Sequence, residues 1–365
     1  MMRIIFAILI FLHGLIHFMG FANAFGLALV PALSKCASKP WGSAWLVSAM
    51  LLIVLAIRIF RQQQAWVIGL AAWSVSQILI ILCWRDAKWG SLPNLVLLAW
   101  LVVAIAQWHF EGSYRRSVAG HLKGLSADPL PVLTSEMIQH LPKPVQRYMA
   151  YSGCLGKPVV KSFKAVFKGE IRESEQSPWM SFTCEQYNFM DQPARLFFMN
   201  ARMKGLPMAG FHAYVEGKAT MDIKLLSLVR VQYQSGPEMD LSETTTFLND
   251  LCLLAPGTLI DRRITWTEID QNRVKASFKN EDVRVEAILV FSEEGALINF
   301  ISGDRYYYHS RDGMQRATWS TPVQNYQAFG EYRLSSRGEA CWESGDTRFA
   351  YGIFKLQQIR YNPKK

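Results

Sequence analysis

The 365-residue chain lacks the sequence patterns by which most enzyme classes are recognised. It contains no G-x-S-x-G, H-E-x-x-H, Walker A or G-x-G-x-x-G pattern. None of its six cysteines forms a C-x-x-C pair, so neither a zinc knuckle nor a thioredoxin-type centre is indicated. The net charge is +10, but no run of five or more Lys or Arg occurs, which argues against a nucleic-acid partner. We therefore expect no cofactor, and a binding protein rather than an enzyme.

Long apolar runs, by contrast, are abundant in the first 110 residues. Segments of about 18–20 residues have the length that crosses a bilayer as a helix. Four such segments occur, Ile4–Phe21, Trp41–Phe60, Ala65–Trp84 and Ser91–Trp108. Tryptophans at their ends fit interfacial aromatic belts. The pattern predicts four transmembrane helices, with the lipid bilayer as a partner.

The first apolar run has a second interpretation. Met1-Met2-Arg3, the apolar run and Ala22-Asn23-Ala24 together resemble a cleavable signal peptide. The single charge at its start and the two histidines within the run favour a retained helix instead. Four spans would place both termini on one side, and six basic residues flank that side against four on the other. The positive-inside rule then favours a cytoplasmic C-terminal domain by a small margin.

His13 and His17 are spaced i,i+4 within the first span and share one helix face. Ionisable groups at membrane depth are candidates for function. Two neutral imidazoles could ligate a metal or haem, yet no carboxylate inside a span would complete a zinc site. The alternative, which we favour, is that both histidines hydrogen-bond neighbouring helices, with Gln77 as a partner.

After the membrane segments the composition becomes that of a globular chain. Residues 111–134 are interrupted by glycine and proline and predict a connector. Beyond it, apolar and polar residues alternate, as at Phe163, Ala165 and Phe167, which predicts roughly nine to twelve antiparallel strands. The predicted domains are 1–110, 111–134 and 135–365.

One long helix interrupts the strands, at Pro237–Ile260. Asp240 is predicted to be its N-cap, and Glu243 completes a capping box. So few helices cannot cover so much sheet, and wide twisted sheets curl. The sequence therefore predicts a helical membrane domain followed by a curved antiparallel half-barrel with one covering helix.

Such an arrangement leaves an apolar hollow between helix and sheet, and this predicts the ligand-binding residues. Arg305 would hold an anionic headgroup at the rim. Glu243 and Asp250 are seven positions apart and share a helix face, either as a hydrolytic carboxylate pair or as a solvated side. The aromatic candidates are Trp179, Trp266, Trp319, Trp342 and Phe247. The alternative is a place in the core, which is usual for aromatic residues in a curved sheet.

The segments LPKPVQRYMAYSGCLGKPV, LAPGTLI and ITWTEID, with the closing FGEYRLSSRGEACWESGDTRFAYGIF, carry a resemblance. Over most of residues 138–361 the chain resembles an uncharacterised bacterial family of membrane-anchored proteins, a domain of unknown function. The resemblance implies the bacterial cytoplasmic membrane and a fold similar to the half-barrels of lipoprotein carriers. It implies no activity.

Three functional hypotheses follow. The first is a membrane-anchored module that holds a lipid or other apolar ligand. The second is an enzyme that acts on a membrane-derived substrate. The third is a sensor or assembly factor that uses the intramembrane histidine pair.

Overall fold

The computed structural model describes residues 2–27, 38–126, 128–309, 313–345 and 347–363. The chain divides into two compact units, Met1–His109 and Phe110–Lys365. The division falls inside one long helix, whose first part belongs to the helical unit and whose last part belongs to the sheet domain.

The first unit is built from apolar helices. They are α1 (Met2–Ala24), α2 (Lys39–Phe60), α3 (Trp66–Leu82), the short α4 (Trp84–Ala87) and the first part of α5 (Ser91–Gly124). Buried residues such as Leu52, Leu55 and Leu101 form the core of the unit. Gly20 allows a close approach of two helices, because a Cβ there would lie 2.5 Å from the Trp45 ring.

Three helical segments, rather than the predicted four, are long and apolar enough to cross a membrane. They are Arg3–Ala24, Lys39–Phe60 and Trp84–Gly124. The predicted span Ala65–Trp84 forms α3, a helix of 17 residues. At 1.5 Å per residue it is about 26 Å long, shorter than the roughly 30 Å hydrocarbon core of a bilayer. The prediction of four spans was therefore wrong.

Residues 111–124, predicted to be part of the connector, continue α5 as a helix. In the sheet domain this part of α5 packs on the outer face of the sheet. Phe110 and Tyr114 stack on Phe198, with ring centroids 5.6 and 5.3 Å apart. Buried Leu196 and Ala209 join the same cluster. The outer face of these strands is apolar because a helix covers it.

The sheet domain contains fourteen strands in the described residues, more than the nine to twelve predicted. The first six are β1 (Ser162–Ile171), β2 (Met180–Phe189), β3 (Ala194–Met203), β4 (Leu206–Val215), β5 (Lys218–Leu225) and β6 (Val229–Ser235). The other eight are β7 (Ile264–Glu268), β8 (Arg273–Asn280), β9 (Val283–Phe291), β10 (Leu297–His309), β11 (Gly313–Ser320), β12 (Val323–Phe329), β13 (Tyr332–Ser344) and β14 (Thr347–Tyr361).

All these strands belong to one antiparallel sheet. Its order is β6-β5-β4-β3-β2-β1-β14-β13-β11-β10-β9-β8-β7, and β12 pairs with β13. The described strands leave β6 and β7 as the two edges, so the sheet curls without closing. The predicted half-barrel is confirmed.

Two further helices pack on the sheet, α6 (Lys143–Tyr151) and α7 (Pro237–Leu254). Helix α7 crosses the concave side and contacts β9 and β10 on one flank and β4, β5 and β6 on the other. On its apolar face Phe247 is fully buried between Tyr214 and Phe278. This packing fixes the helix in the middle of the half-barrel.

The predicted capping box of α7 does not form. The helix begins at Pro237, after Gly236, so Asp240 lies within its first turn. The Asp240 carboxylate instead accepts hydrogen bonds from the Ala219 backbone N–H at 2.7 Å and the Lys218 amine at 3.0 Å. It therefore ties the helix to β5, and Glu243 is left without a capping role.

Candidate functional site

A cavity of about 300 Å³ lies between α7 and the concave side of the sheet. Most of its lining is apolar and comes from strands β1, β3, β5 and β14. These apolar residues include Phe167, Ile171, Phe197, Met199, Met221, Ile223, Leu253, Leu254, Phe354 and Leu356. Polar residues line one side of the cavity, where α7 faces β2 and β3. The cavity is therefore amphipathic.

The polar side of the cavity is built on one face of α7. Glu243, Thr246, Asn249 and Asp250 recur at spacings of three and four, so they project from the same face of the helix. All four are buried from bulk solvent. A helix with a charged face turned inward requires partners for its carboxylates, because an isolated buried charge is strongly destabilising.

Arg195 on β3 is the common partner of both carboxylates. Its Nε donates to Asp250 Oδ2 at 2.7 Å, and its Nη1 donates to Glu243 Oε2 at 3.1 Å. The exposed fractions of the three side chains are 8%, 10% and 3% for Arg195, Asp250 and Glu243. The guanidinium therefore bridges two turns of α7 and locks the helix face to the sheet.

Two amides on β2 complete the coordination of Asp250. Gln186 Nε2 and Asn188 Nδ2 donate to Asp250 Oδ2 at 2.9 and 3.1 Å. That single oxygen thus accepts three hydrogen bonds, counting the one from Arg195. Among the described residues the other oxygen, Oδ1, accepts none, although Asp250 lines the cavity. One acceptor of the site therefore has no donor in the part of the chain that the structure describes.

A second arginine, Arg305 on β10, approaches from the opposite flank of α7. Its Nη1 donates to Thr246 Oγ1 and, at 3.4 Å, to the Ser242 carbonyl oxygen. Its guanidinium carbon lies 4.1 Å from the centre of the Trp319 ring, a cation–π contact. Its buried Nε has no hydrogen-bond partner in the described part of the chain. Two arginines and two carboxylates therefore balance in formal charge around the polar end.

The electrostatics of the site favour an ionised Glu243 and a neutral His212. Burial alone would raise the pKa of Glu243, but the positive charges of Arg195 and Arg305 outweigh it and hold this pKa below its ordinary value. The pKa of His212 on β4 is lowered to about 4, mainly by burial, with Glu243 opposing the shift and Arg195 and Arg305 adding to it. At neutral pH the site therefore contains an uncharged His212 imidazole and an ionised Glu243.

The predicted site residues separate into two groups. Four of them line the cavity: Trp319, Arg305, Glu243 and Asp250. Phe247 lies in the core on the other face of α7, and Trp266 packs against the same core. Trp342 stacks on Tyr351, with ring centroids 5.5 Å apart. Trp179 is 37% exposed and covers the guanidinium of Arg172 at the rim. Of the five aromatic candidates Trp319 lines the cavity, and all three charged candidates do so.

Sequence reasoning missed Arg195, Gln186 and Asn188. The signal was present, because the alternation that points Phe182 and Cys184 inward on β2 continues to positions 186 and 188. The same parity on β3 points Arg195 inward along with Phe197. A charged or amide residue at an inward position of a strand requires a buried partner. The partners lie 48 and 55 residues away in the sequence, so the pattern alone could not identify them.

The two membrane histidines form a separate polar cluster in the helical unit. His13 Nε2 lies 3.0 Å from Asn94 Oδ1, and His17 Nε2 lies 2.9 Å from Ser76 Oγ. Asn94 Nδ2 donates in turn to Ser76 and to Gln77 Oε1. Among the described residues no group of three or more His, Cys, Asp or Glu side chains is arranged to hold a metal ion. The geometry fits the hydrogen-bonding alternative.

Together these features define a β half-barrel protein with apolar N-terminal helices and an internal cavity that is polar at one end. The chain belongs to the family of unknown function DUF6544, whose sequence model matches residues 131–354. The predicted membership of an uncharacterised family is thereby confirmed. No curated protein matches the chain.

Several crystal structures are similar to the chain at low identity and low TM-score. A domain described as an outer membrane lipoprotein-sorting protein domain, from Vibrio parahaemolyticus, is 9% identical to this chain, with a TM-score of 0.33. The match covers 63% of this chain and 92% of that domain. A DUF1329 family protein from Desulfovibrio piger is 11% identical to this chain, with a TM-score of 0.33. The match covers 56% of this chain and 86% of that protein. A β-barrel-like DUF1849 protein from Brucella abortus is 8% identical to this chain, with a TM-score of 0.17. The match covers 56% of this chain and 99% of that protein. TM-scores this low carry no argument about ligand or activity.

Proposed function

We propose that the half-barrel is a membrane-anchored binding module for an amphiphile, a molecule with one apolar chain and a small polar head. The observation that carries the proposal is the cavity of about 300 Å³ between α7 and the sheet. Ligand sites are typically apolar with a few convergent polar groups, in volumes of about 300–1,000 Å³. At the lower end of that range, the cavity suits a single-chain amphiphile better than a whole two-chain lipid.

The polar end of the cavity is suited to a ligand whose head group donates hydrogen bonds. Asp250 lines the cavity, and its Oδ1 has no donor among the described residues. In the described part of the chain, Glu243 Oε1 accepts one long contact, 3.5 Å from Thr246 Oγ1. Because Arg195 and Arg305 balance the two carboxylates, the end has no net formal charge that would demand an ion. A hydroxyl or amide head would satisfy the two oxygens.

The enzyme hypothesis has one observation in its favour, since Glu243 and Asp250 converge on the same cavity. The direction of the Glu243 pKa argues against it. A general acid at neutral pH needs a carboxyl pKa raised towards 6–7, whereas the arginines keep that of Glu243 low. Arg195 also occupies the space between the two carboxylates. We therefore favour binding over hydrolysis.

We further propose that the sheet domain lies on the cytoplasmic side of an inner membrane. In the helical unit, α1 and α5 run antiparallel, because Phe6 stacks on Trp100 while His13 bonds Asn94. The start of α1 and the exit of α5 are thus at one end of that unit. Cys83, which follows α3, is disulfide-bonded, whereas the four cysteines of the sheet domain are free thiols. Oxidised and reduced cysteines favour opposite compartments.

Native mass spectrometry of the full chain, released from gentle detergent, tests the binding proposal. Ala340 on β13 lines the cavity and is almost fully buried, so Ala340→Leu fills part of the space. Ala328→Leu on the neighbouring β12 makes the same change at an exposed position and is the control. We expect a bound single-chain lipid in the parent and in Ala328→Leu, and its loss in Ala340→Leu. No bound lipid in the parent, or equal retention in both variants, would contradict the proposal.

A further inference from the structure

Two neighbouring hairpin tips of the sheet domain present apolar side chains to solvent. The β3–β4 tip carries Met203 and Leu206, which are 37% and 43% exposed. The β5–β6 tip carries Leu228 and Val229, which are 46% and 59% exposed. The Leu226 backbone N–H donates to the Pro207 carbonyl oxygen at 2.7 Å, so the two tips form one surface. We call these four apolar residues the tip patch.

The backbone of the second tip shows that its apolar character is not a consequence of turn geometry. Leu226 and Ser227 have φ angles of +55° and +56°. Asn and Gly adopt this left-handed region at least cost, and they dominate tight hairpin turns of this conformation. A leucine in this region of φ is strained. Leu228, two residues further along the chain, is exposed to solvent. Neither side chain is explained by the stability of the hairpin.

The surroundings of the tip patch are basic. Arg202 and Lys204 are exposed on the first tip, and Arg230 follows the second. Asp222 is the acidic residue paired with this group, through Arg230 at 2.9 Å. Apolar side chains ringed by Lys and Arg fit a bilayer interface with anionic headgroups, to which each basic residue contributes about 1 kcal/mol.

The tip patch is also close to the point where the chain leaves the membrane. Lys224, two residues before Leu226, places its amine 4.4 Å from the Phe110 ring. Phe110 follows Trp108, the last residue of the predicted apolar segment, by two positions. Consecutive Cα atoms are about 3.8 Å apart, so Phe110 lies within about 8 Å of the end of that segment.

From these observations we propose that the tip patch docks on the anionic surface of the bilayer, with Leu228 and Leu206 inserted at the headgroup level. The occupant is lipid rather than protein, because the apolar tips, their basic rim and the membrane exit of the chain coincide. The docked surface includes the end of β5, and Ile223 on β5 lines the cavity. The inference stands whether or not the cavity holds a ligand.

Spin-label accessibility in the full chain, reconstituted in nanodiscs of phosphatidylglycerol, tests this proposal. A label at Leu228→Cys is compared with one at Glu216→Cys, an exposed turn residue at the opposite end of β4. Ten residues of strand separate the two ends by about 30 Å. The four free native thiols are buried. We expect the Leu228 label to be relaxed more by oxygen than by a water-soluble nickel complex, and the Glu216 label to show the reverse.

Equal accessibility of the two labels to the nickel complex would overturn the proposal. A Leu228 label shielded from both relaxing agents would assign the tip patch to a protein contact and would overturn it as well. Charge reversal, Arg202→Glu with Lys204→Glu, separates the basic rim from the apolar tips. We expect it to reduce the oxygen accessibility of the Leu228 label in phosphatidylglycerol. In phosphatidylcholine the same change should have little effect, and an equal reduction in both lipids would refute the role of the anionic headgroups.

Discussion

Two of the buried polar clusters in the described residues invite comparison, one in the helical unit and one in the sheet domain. The cluster of His13, His17, Ser76 and Asn94 consists of groups that can all be neutral and that bond one another. The cluster around Arg195 is charged and borders a cavity of about 300 Å³. Both are surrounded by apolar side chains, so burial alone does not distinguish them.

The difference lies in what the polar groups face. In the helical unit both Nε2 atoms have a partner on another helix, which is the arrangement by which polar residues join helices in lipid. In the sheet domain one oxygen of Asp250 accepts three hydrogen bonds, the other accepts none among the described residues, and the residue lines the cavity. A network whose polar groups are all hydrogen-bonded to one another joins helices or strands. A network beside a cavity that still has an acceptor without a donor is suited to bind a ligand.

The largest expected effect comes from Arg195→Met, which leaves Glu243 and Asp250 buried without their cation. We expect a loss of about 3–5 kcal/mol in the free energy of unfolding, measured by urea denaturation of the full chain in detergent. Arg230→Met, which breaks the exposed pair with Asp222, is the control and should leave stability near that of the parent.

A triple variant sharpens this comparison. Replacing Arg195, Glu243 and Asp250 together by apolar residues removes the charges along with their desolvation penalty, so much of the lost stability should return. If Arg195→Met alone proves as stable as the parent, the cluster is solvated and the description of a buried charged site fails.

The next effect is a pH dependence carried by His212. Its folded pKa, about 4, lies below the ordinary 6.5, so the unfolded chain binds the extra proton between these values. Stability should therefore fall as the pH decreases through this window, by about 2 kcal/mol at pH 5 for this group. His212→Gln should remove that part of the slope, whereas His140→Gln, at an exposed position, should keep it. Parallel slopes in all three proteins would contradict a buried neutral imidazole.

The smallest effect is expected in the helical cluster. Ser76→Ala removes one hydroxyl from the network and should destabilise the helical unit by only about 0.6 kcal/mol, the mean for such bonds in membranes. Ser43→Ala on α2, whose hydroxyl is exposed, is the control. Elemental analysis should find the same metal content in the parent and in the double variant His13→Ala/His17→Ala. Metal present in the parent and lost in the variant would restore the sensor hypothesis.

The fold could be predicted from the sequence because the alternation of apolar and polar residues along a strand is a local property. Phe163, Ala165 and Phe167 face inward as predicted, and all three are buried. The number of membrane spans was overestimated because α3 is an apolar helix that ends at Leu82, after 17 residues. Apolar composition extends beyond the residues that form the helix, so it overstates the helix length.

The candidate site could be predicted from the sequence only in part. Glu243 and Asp250 could be placed on one face of α7 from their spacing, but the direction of that face could not. The sequence predicted a solvated side or a catalytic pair, and the structure shows a salt-bridged pair instead. What decided the outcome is Arg195, on a strand 48 and 55 residues distant, because long-range charge pairing leaves no local pattern.

The most direct test of the binding account is an electron-density map of the full chain crystallised from a lipid mesophase. The account predicts elongated density that begins within hydrogen-bonding distance of Asp250 Oδ1 and continues along Phe167 and Phe354. A cavity closed by repacked side chains, or one filled only by ordered water, would contradict it.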